Sequence, residues 1–95
     1  MKYFLYILYS PKFVKTYVGQ SDNLSERLIK HNSGKVKSTK PYVPWVLIHS
    51  KSFSSRSEAM KREAWFKSRV GRKKIAEILK NFMEAEGNSL SVSSR

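Results

Sequence analysis

The chain has 95 residues, with 19 Lys or Arg against 7 Asp or Glu and a formal net charge of +12. This length fits one domain with a single small core, and the charge indicates an anionic partner. Nucleic acid fits better than a membrane, because the basic residues are spread along the chain and no run approaches the roughly 20 apolar residues of a spanning helix. The absence of cysteine excludes disulfides, thiolate nucleophiles and cysteine-ligated zinc.

The first two predicted elements are the strands of a hairpin. YFLYILYS (Tyr3–Ser10) is aromatic and aliphatic on both alternating faces, which is typical of a strand buried on both sides. It lacks the small-residue cleavage site of a signal peptide, so we expect a cytoplasmic protein. The turn SPK leads to FVKTYVG (Phe13–Gly19), whose β-branched and aromatic residues predict an antiparallel partner strand.

A first helix and a basic loop follow the hairpin. Asn23 followed by Glu26 resembles a capping box, and Asn32 with Gly34 predicts the helix end. The next segment, GKVKSTKPYVP, reads as a loop, and its lysines could hold phosphates without reading bases: Lys35, Lys37 and Lys40. An ordinary solvated loop is the alternative.

The second half of the chain predicts one strand and two helices. WVLIHSKSF (Trp45–Phe53) reads as the third strand, and Ser55 followed by Glu58 repeats the capping pattern before a helix that Gly71 should end. RKKIAEILKNFM predicts an amphipathic third helix. The expected fold is therefore α+β, a small three-stranded antiparallel sheet flanked by helices in the order β-β-α-β-α-α. Residues 1–86 should form the domain and residues 87–95 a disordered tail.

Three charged or polar side chains break the helical patterns. Arg27 and His31 share the apolar face of the first helix, and Glu63 falls in the apolar stripe of the second, beside Phe66 and Val70. Burying an ionised carboxylate costs several kcal/mol of free energy unless the carboxylate is paired or binds a cation. We therefore expect Glu63 to have a partner, either a metal ion or Arg27.

Each of these residues also has an ordinary structural explanation. Glu63 could form an i,i+4 pair with Lys67, and Arg27 and His31 could extend past the leucines into water. Tyr6 and Tyr17 are common strand residues, and His49 fits a structural role in the third strand. Trp65 could stack on a base or cover a neighbouring residue, and packing at the core edge is the preferred interpretation. Together, however, two phenols beside an Arg and a His, with a carboxylate on a later helix, indicate a hydrolytic centre.

These residues resemble a known pattern. LYI (Leu5–Ile7) and YVG (Tyr17–Gly19) resemble the two half-motifs of the GIY-YIG endonuclease superfamily, with similar spacing. The resemblance continues through Arg27, HNSG (His31–Gly34) and SRSEAMKREAWFK (Ser55–Lys67). The chain is most similar in form to small stand-alone bacterial members and to the catalytic module of the excision-repair nuclease. It departs from the pattern at Leu5, where the first half-motif has a glycine, and at Gln20, where some repair nucleases carry a lysine.

The resemblance implies a metal-dependent mechanism. Glu63 would hold one Mg²⁺ or Mn²⁺, and Tyr17 or Tyr6 would activate the attacking water. Arg27 would stabilise the charge that develops on the phosphate, and His31 would relay a proton or orient Tyr6. The residues do not choose between the two tyrosines.

The predicted function is metal-dependent endonucleolytic cleavage of DNA, structure-selective or weakly sequence-specific, because no second domain is present to read sequence. RNA is the alternative nucleic acid, and a protein partner could supply targeting. Two other functions compete with this one. The chain could be a catalytically weak or inactive nucleic-acid-binding module of the same fold, or a small basic component of a ribonucleoprotein.

Overall fold

The computed structural model describes residues 1–93, with side chains through residue 86. A three-stranded antiparallel sheet is packed with three α-helices, and a short 3₁₀ turn precedes the third strand. The elements are β1 (Tyr3–Ser10), β2 (Lys15–Ser21), α1 (Leu24–Asn32), the 3₁₀ turn Lys40–Tyr42, β3 (Val46–Phe53), α2 (Arg56–Phe66) and α3 (Arg69–Ser93). The α+β class and the predicted element order are confirmed. The tail predicted for residues 87–95 lies outside the residues whose side chains are described, and the boundary at residue 86 stays a prediction.

The sheet has the order β2-β1-β3, so β1 is its central strand. Both neighbours pair with β1 in antiparallel register, and a bulge interrupts the pairing with β3 between Ile7 and Leu8. Residues Leu5 to Ser10 are all buried, as expected of a strand covered on both faces. The second strand begins at Lys15 rather than at the predicted Phe13 and runs past Gly19.

Alternating residues of β1 contribute to two separate cores. Leu5 and Ile7 pack with Val18 on β2, Phe66 on α2 and Ile75 on α3. On the other face, Tyr6 and Leu8 pack with Trp45, and residues of α1 and the following loop cover them. We call these the α2/α3 face and the α1 face of the sheet. Since side chains alternate along a strand, the two faces share β1 but no side chain of it.

The two predicted helix starts are present. The Asn23 side chain accepts the backbone N–H of Glu26 at 3.1 Å, and the Ser55 side chain accepts that of Glu58 at 3.2 Å. Each bond satisfies one of the four N–H groups that a helix leaves unpaired at its start. Among the described residues, no helix is both long and apolar enough to cross a membrane.

The predicted end of the second helix was wrong. This helix ends at Phe66, and Gly71 lies buried in the first turn of α3. A Cβ on Gly71 would collide with the carbonyl oxygen of Trp65 and with the Cα of Phe66, so glycine lets α3 start directly against the end of α2. Because Val70 lies on α3 and not on α2, it leaves the predicted apolar stripe and is 62% exposed.

Candidate active site

Three aromatic rings meet on the α1 face. Tyr6 lies on β1 opposite Gly19 of β2, so Tyr17, two residues from Gly19, projects on the same face as Tyr6. The Tyr6 and Tyr17 ring centroids are 6.3 Å apart. His31, from the last turn of α1, meets both rings edge-on, with centroid distances of 5.7 Å to Tyr6 and 5.0 Å to Tyr17. The structure thus brings these three predicted catalytic residues into one cluster.

Gly19 makes room for the Tyr6 phenol. A Cβ built on Gly19 would lie 2.6 Å from the Tyr6 hydroxyl oxygen, 2.7 Å from its Cζ and 3.0 Å from Cε2 of Tyr17. These distances are shorter than ordinary van der Waals contacts between such atoms. The absence of a side chain at Gly19 therefore sets the position of the Tyr6 hydroxyl.

A chain of buried hydrogen bonds fixes the orientation of His31. Its Nε2 lies 2.9 Å from the Tyr6 hydroxyl, and its Nδ1 lies 2.8 Å from Oγ1 of Thr39. The Thr39 hydroxyl donates to the carbonyl of Val36 at 3.3 Å, so its oxygen is left to accept the Nδ1–H of His31. The neutral imidazole consequently presents an unprotonated Nε2, which accepts a hydrogen bond donated by the Tyr6 hydroxyl. Thr39 was not among the predicted site residues.

Burial explains the protonation states of this chain of bonds. His31 is completely buried, and its pKa is lowered by that burial and then by the positive charge of Arg27. His31 therefore does not extend into water, and it is neutral at pH 7. Burial also raises the pKa of Tyr6, an effect that the neighbouring Arg27 opposes and that the charges of Tyr17 and Glu63 increase.

Arg27 adjoins both phenols from α1. Its half-buried guanidinium lies beside the Tyr6 hydroxyl, which raises the pKa of Arg27, and the Tyr17 hydroxyl adds to this effect. The guanidinium charge thus stands next to two phenol hydroxyls. Arg27 forms no ion pair with Glu63 among the described residues, so the proposed pairing of these two residues is not observed.

Glu63 is paired with Lys67 instead. The Lys67 ammonium lies 2.8 Å from the Glu63 carboxylate across one turn of α2, which is the simpler of the two arrangements considered from the sequence. The Glu63 side chain is 25% exposed, and its charge reaches the Tyr6 hydroxyl. Its carboxylate is therefore within electrostatic range of the aromatic cluster.

A metal ion fits this site only in one way. No group of three or more His, Asp or Glu side chains that could hold an ion occurs within the described residues. Glu63 would be the one protein ligand, and water and a substrate phosphate would complete the shell. Mg²⁺ is commonly held in this manner, by one or two carboxylates with retained waters and phosphate oxygens. The carboxylate near Tyr6 is therefore compatible with such an ion.

The basic loop is anchored from its interior side. The backbone N–H of Trp45 donates to Oδ1 of Asn32 at 2.6 Å, and the indole N–H of Trp45 donates to the carbonyl of Thr39 at 3.0 Å. Ser10 Oγ donates to the carbonyl of Tyr42 at 2.6 Å. The three predicted phosphate-binding lysines are all exposed: Lys35, Lys37 and Lys40. The loop backbone is thus fixed while its charges face solvent.

Gln20 contacts a residue of α2. Its side-chain oxygen accepts a hydrogen bond from Arg56 at 3.3 Å, and Arg56 also lies 3.8 Å from the carboxylate of Asp22. The position that carries a lysine in some repair nucleases is therefore occupied here by a group that links β2 to α2.

Comparison with known proteins identifies the pattern. Residues 2–76 match a family described as the GIY-YIG catalytic domain. This segment includes the aromatic cluster, Arg27 and Glu63.

The matches to individual relatives cover most of this chain and most of each relative. The UPF0213 protein YsiG of Lactococcus lactis subsp. lactis is 42% identical over 82 residues, covering 84% of this chain and 77% of that protein. The UPF0213 protein SH2523 of Staphylococcus haemolyticus is 38% identical over 78 residues, covering 81% and 94%. The NMR structure of the UPF0213 protein BH0048 from Bacillus halodurans matches with a TM-score of 0.50 and 32% identity, covering 82% and 85%. These are small proteins of similar length, and their names state no activity.

Proposed function

The chain belongs to the GIY-YIG catalytic domain family, and on that premise we propose that it is an endonuclease that hydrolyses phosphodiester bonds in DNA with the aid of one divalent metal ion. One observation carries the proposal: Tyr6, His31 and Thr39 form a buried hydrogen-bonded chain with Arg27 beside it. A core needs no such arrangement for stability, since apolar residues of the same volume avoid the cost of burying polar groups.

Tyr17 is the better candidate to activate water. Tyr6 is 1% exposed, its hydroxyl is already bonded to His31, and its pKa is raised. A water molecule therefore has little access to this hydroxyl. Tyr17, on the edge strand β2, is half-buried and lines an open pocket beside Lys67, so water can reach it. The Arg27 guanidinium adjoins the Tyr17 hydroxyl, so a phosphate held by Arg27 would lie next to the phenol. We assign Tyr6 and His31 to holding Arg27 and Tyr17 in position.

Arg27 and Glu63 supply the remaining groups. The planar donors of Arg27 match phosphate oxygens, and a charge held in a partly buried site stabilises the transition state without reorganisation. Glu63 would hold Mg²⁺ or Mn²⁺, which, when bound, supplies Lewis-acid stabilisation of the leaving oxygen. Lys67 would then turn from the Glu63 carboxylate toward solvent, where its ammonium is already more than half exposed.

The basic loop would hold the substrate without selecting a sequence. Lys35, Lys37 and Lys40 are exposed point charges, which bind phosphates rather than base edges. Cleavage should therefore depend on the form of the nucleic acid more than on its sequence, with DNA as the first candidate and RNA as the second.

The ion pair between Glu63 and Lys67 favours a second candidate function. Because Lys67 satisfies the carboxylate, the fold does not require a metal ion at this position. A nucleic-acid-binding module with weak or no turnover would have the same structure.

Cleavage assays with matched variants test the proposal. Labelled single-stranded, duplex and branched DNA, with an RNA strand as a further substrate, would be incubated with Mg²⁺ or Mn²⁺. Glu63→Gln should lose cleavage and retain binding. Glu84→Gln is the control, since it removes the same charge from an exposed position of α3. If wild type and both variants cut alike, or none cuts while all bind, the nuclease proposal fails and the binding module replaces it.

A further inference from the structure

A second pocket lies on the α2/α3 face, behind the sheet from the aromatic cluster. Its volume is about 170 Å³, and β3, α2 and α3 each contribute to its wall. Three cationic side chains and three rings line it: Lys51, Arg62, Lys74, His49, Trp65 and Phe66. No carboxylate is among the lining residues.

The strand pairing explains why β3 contributes two of these side chains. His49 pairs with Ile7 and Lys51 pairs with Leu5, and both partners on β1 point toward the α2/α3 face. Directly opposed residues of an antiparallel pair project on the same face. His49 and Lys51 therefore project from the edge strand of the sheet onto the face that holds the α2/α3 core.

The aromatic wall is formed at the end of α2. Trp65 and Phe66 meet edge to face with centroids 4.9 Å apart, and His49 meets Phe66 at 6.0 Å. The Arg62 guanidinium lies over the Trp65 ring at 5.0 Å. Trp65 packs against the core with part of its ring and remains half-buried, so an aromatic surface is open at the pocket rim.

The charges converge inside the pocket. The pKa of His49 is lowered first by burial and then by the charges of Lys74, Lys51 and Arg62, so all three act on one point. Lys74 is bonded to Glu77 at 3.0 Å, while Lys51 and Arg62 form no ion pair among the described residues. Positive charge is therefore concentrated where two of three cations lack an acidic partner.

We propose that this pocket binds the phosphate group of a nucleotide between Lys51, Arg62 and Lys74, with the base stacked at the rim against Trp65. A volume of 170 Å³ is below the usual range of sites that enclose a whole ligand, and it suits a phosphate with the rest of the molecule outside. Arg and Lys side chains form charge-assisted bonds to phosphate, and an aromatic face stacks on any base. Neither Tyr6 nor Glu63 lines the pocket, and binding there does not require cleavage.

The same chemistry has two sources, a free nucleotide or a nucleotide within a strand. NMR titrations of the wild-type protein in EDTA, with inorganic phosphate, AMP and a short oligothymidylate, separate them. We expect the Trp65 indole N–H and the His49 ring to shift, and the Trp45 indole N–H, bonded to Thr39 on the α1 face, to stay. Saturation by AMP indicates a free nucleotide, and a response to the oligonucleotide alone indicates a strand.

Charge-matched variants test whether the pocket residues are responsible for nucleotide binding. Lys51→Gln/Arg62→Gln should weaken binding at least about tenfold, the loss expected from one or two charged hydrogen bonds. Lys73→Gln/Lys80→Gln removes the same charge from exposed positions of α3 outside the pocket and should change affinity far less. An unchanged Trp45 resonance reports that each variant is folded. An equal loss in both double variants, or shifts confined to the basic loop, would overturn the proposal. Cleavage is not measured, so failure here leaves the nuclease proposal intact.

Discussion

Replacing Gly19 with alanine should push the Tyr6 phenol out of its place. The added Cβ would lie 2.6 Å from the Tyr6 hydroxyl oxygen and 2.7 Å from its Cζ, closer than carbon atoms approach in proteins. Tyr6 is 1% exposed and bonded to His31 at 2.9 Å, so it has no free space in which to turn. The backbone of Gly19 does not have a positive φ, and an alanine there meets no backbone strain.

The direction of the stability change distinguishes a steric clash at position 19 from the entropic effect of replacing glycine in the unfolded chain. By chain entropy alone, Gly→Ala at a compatible position stabilises a protein by about 0.4–1 kcal/mol. Overpacking a core costs about 1–3 kcal/mol, and a buried polar group that loses its partner costs about 1–3 kcal/mol more. We therefore expect Gly19→Ala to lower the free energy of unfolding by roughly 1–5 kcal/mol, the sum of the two costs less the entropic gain. It should also lower cleavage.

Urea denaturation of four proteins measures this: wild type, Gly19→Ala, Tyr6→Phe and the double variant. Removing the Tyr6 hydroxyl removes the shortest contact, so the loss caused by Gly19→Ala should be smaller in the Tyr6→Phe background by about 1 kcal/mol. Gly34→Ala is the matched control. Gly34 has a φ of +76°, and its nearest neighbour would be 3.6 Å from a Cβ, so alanine there strains the backbone without touching Tyr6. An additive cycle, or a Gly19→Ala protein as stable as wild type, would refute the steric argument.

Three further predictions concern His31, Thr39 and Gly71. The folded protein holds His31 neutral, so as the pH falls below the ordinary pKa of 6.5 the unfolded chain takes up a proton first, and the free energy of unfolding decreases. In urea denaturation between about pH 7 and 5, His31→Gln should make this decrease smaller. The part of the decrease that is due to His49, whose pKa is also lowered, should remain. Thr39→Val keeps the volume but leaves the buried Nδ1–H of His31 unpaired, and it should cost about 1–3 kcal/mol in denaturation with a changed imidazole NMR signal; an unchanged melting curve would argue against the bond. Gly71→Ala should destabilise by roughly 3 kcal/mol or more in thermal melts, because its Cβ meets the backbone at Trp65, and a variant that melts like wild type would contradict this contact.

Local rules predicted much of the fold. The continuous apolar run of β1 indicated a strand covered on both faces, and the capping residues Asn23 and Ser55 located two helix starts. The helical period also placed Arg27 and His31 toward the sheet, and His31 is indeed completely buried. These features depend on residues close together in the chain.

Contacts between distant segments could not be predicted in the same way. Thr39 has no pattern of its own, since one threonine in a lysine-rich loop becomes important only when the fold brings it to His31. Gly71 looked like a helix stop, but its role follows from the close approach of α3 to the end of α2. The helical period placed Glu63 toward the apolar side of α2, where its side chain is 25% exposed. The period could not identify its partner, because a lysine one turn away and a metal ion satisfy a carboxylate equally well.

The attachment of the basic loop has an evolutionary consequence. The side of the loop that holds it in place consists of Thr39, Trp45 and the Tyr42 carbonyl, whereas the residues that would meet a substrate, Lys35, Lys37 and Lys40, make no part of those bonds. Mutations at the lysines can therefore accumulate without unfolding the protein or disturbing His31. A combinatorial library restricted to these three positions should yield variants with altered nucleic-acid preference on an unaltered scaffold, and natural relatives can diverge along the same route.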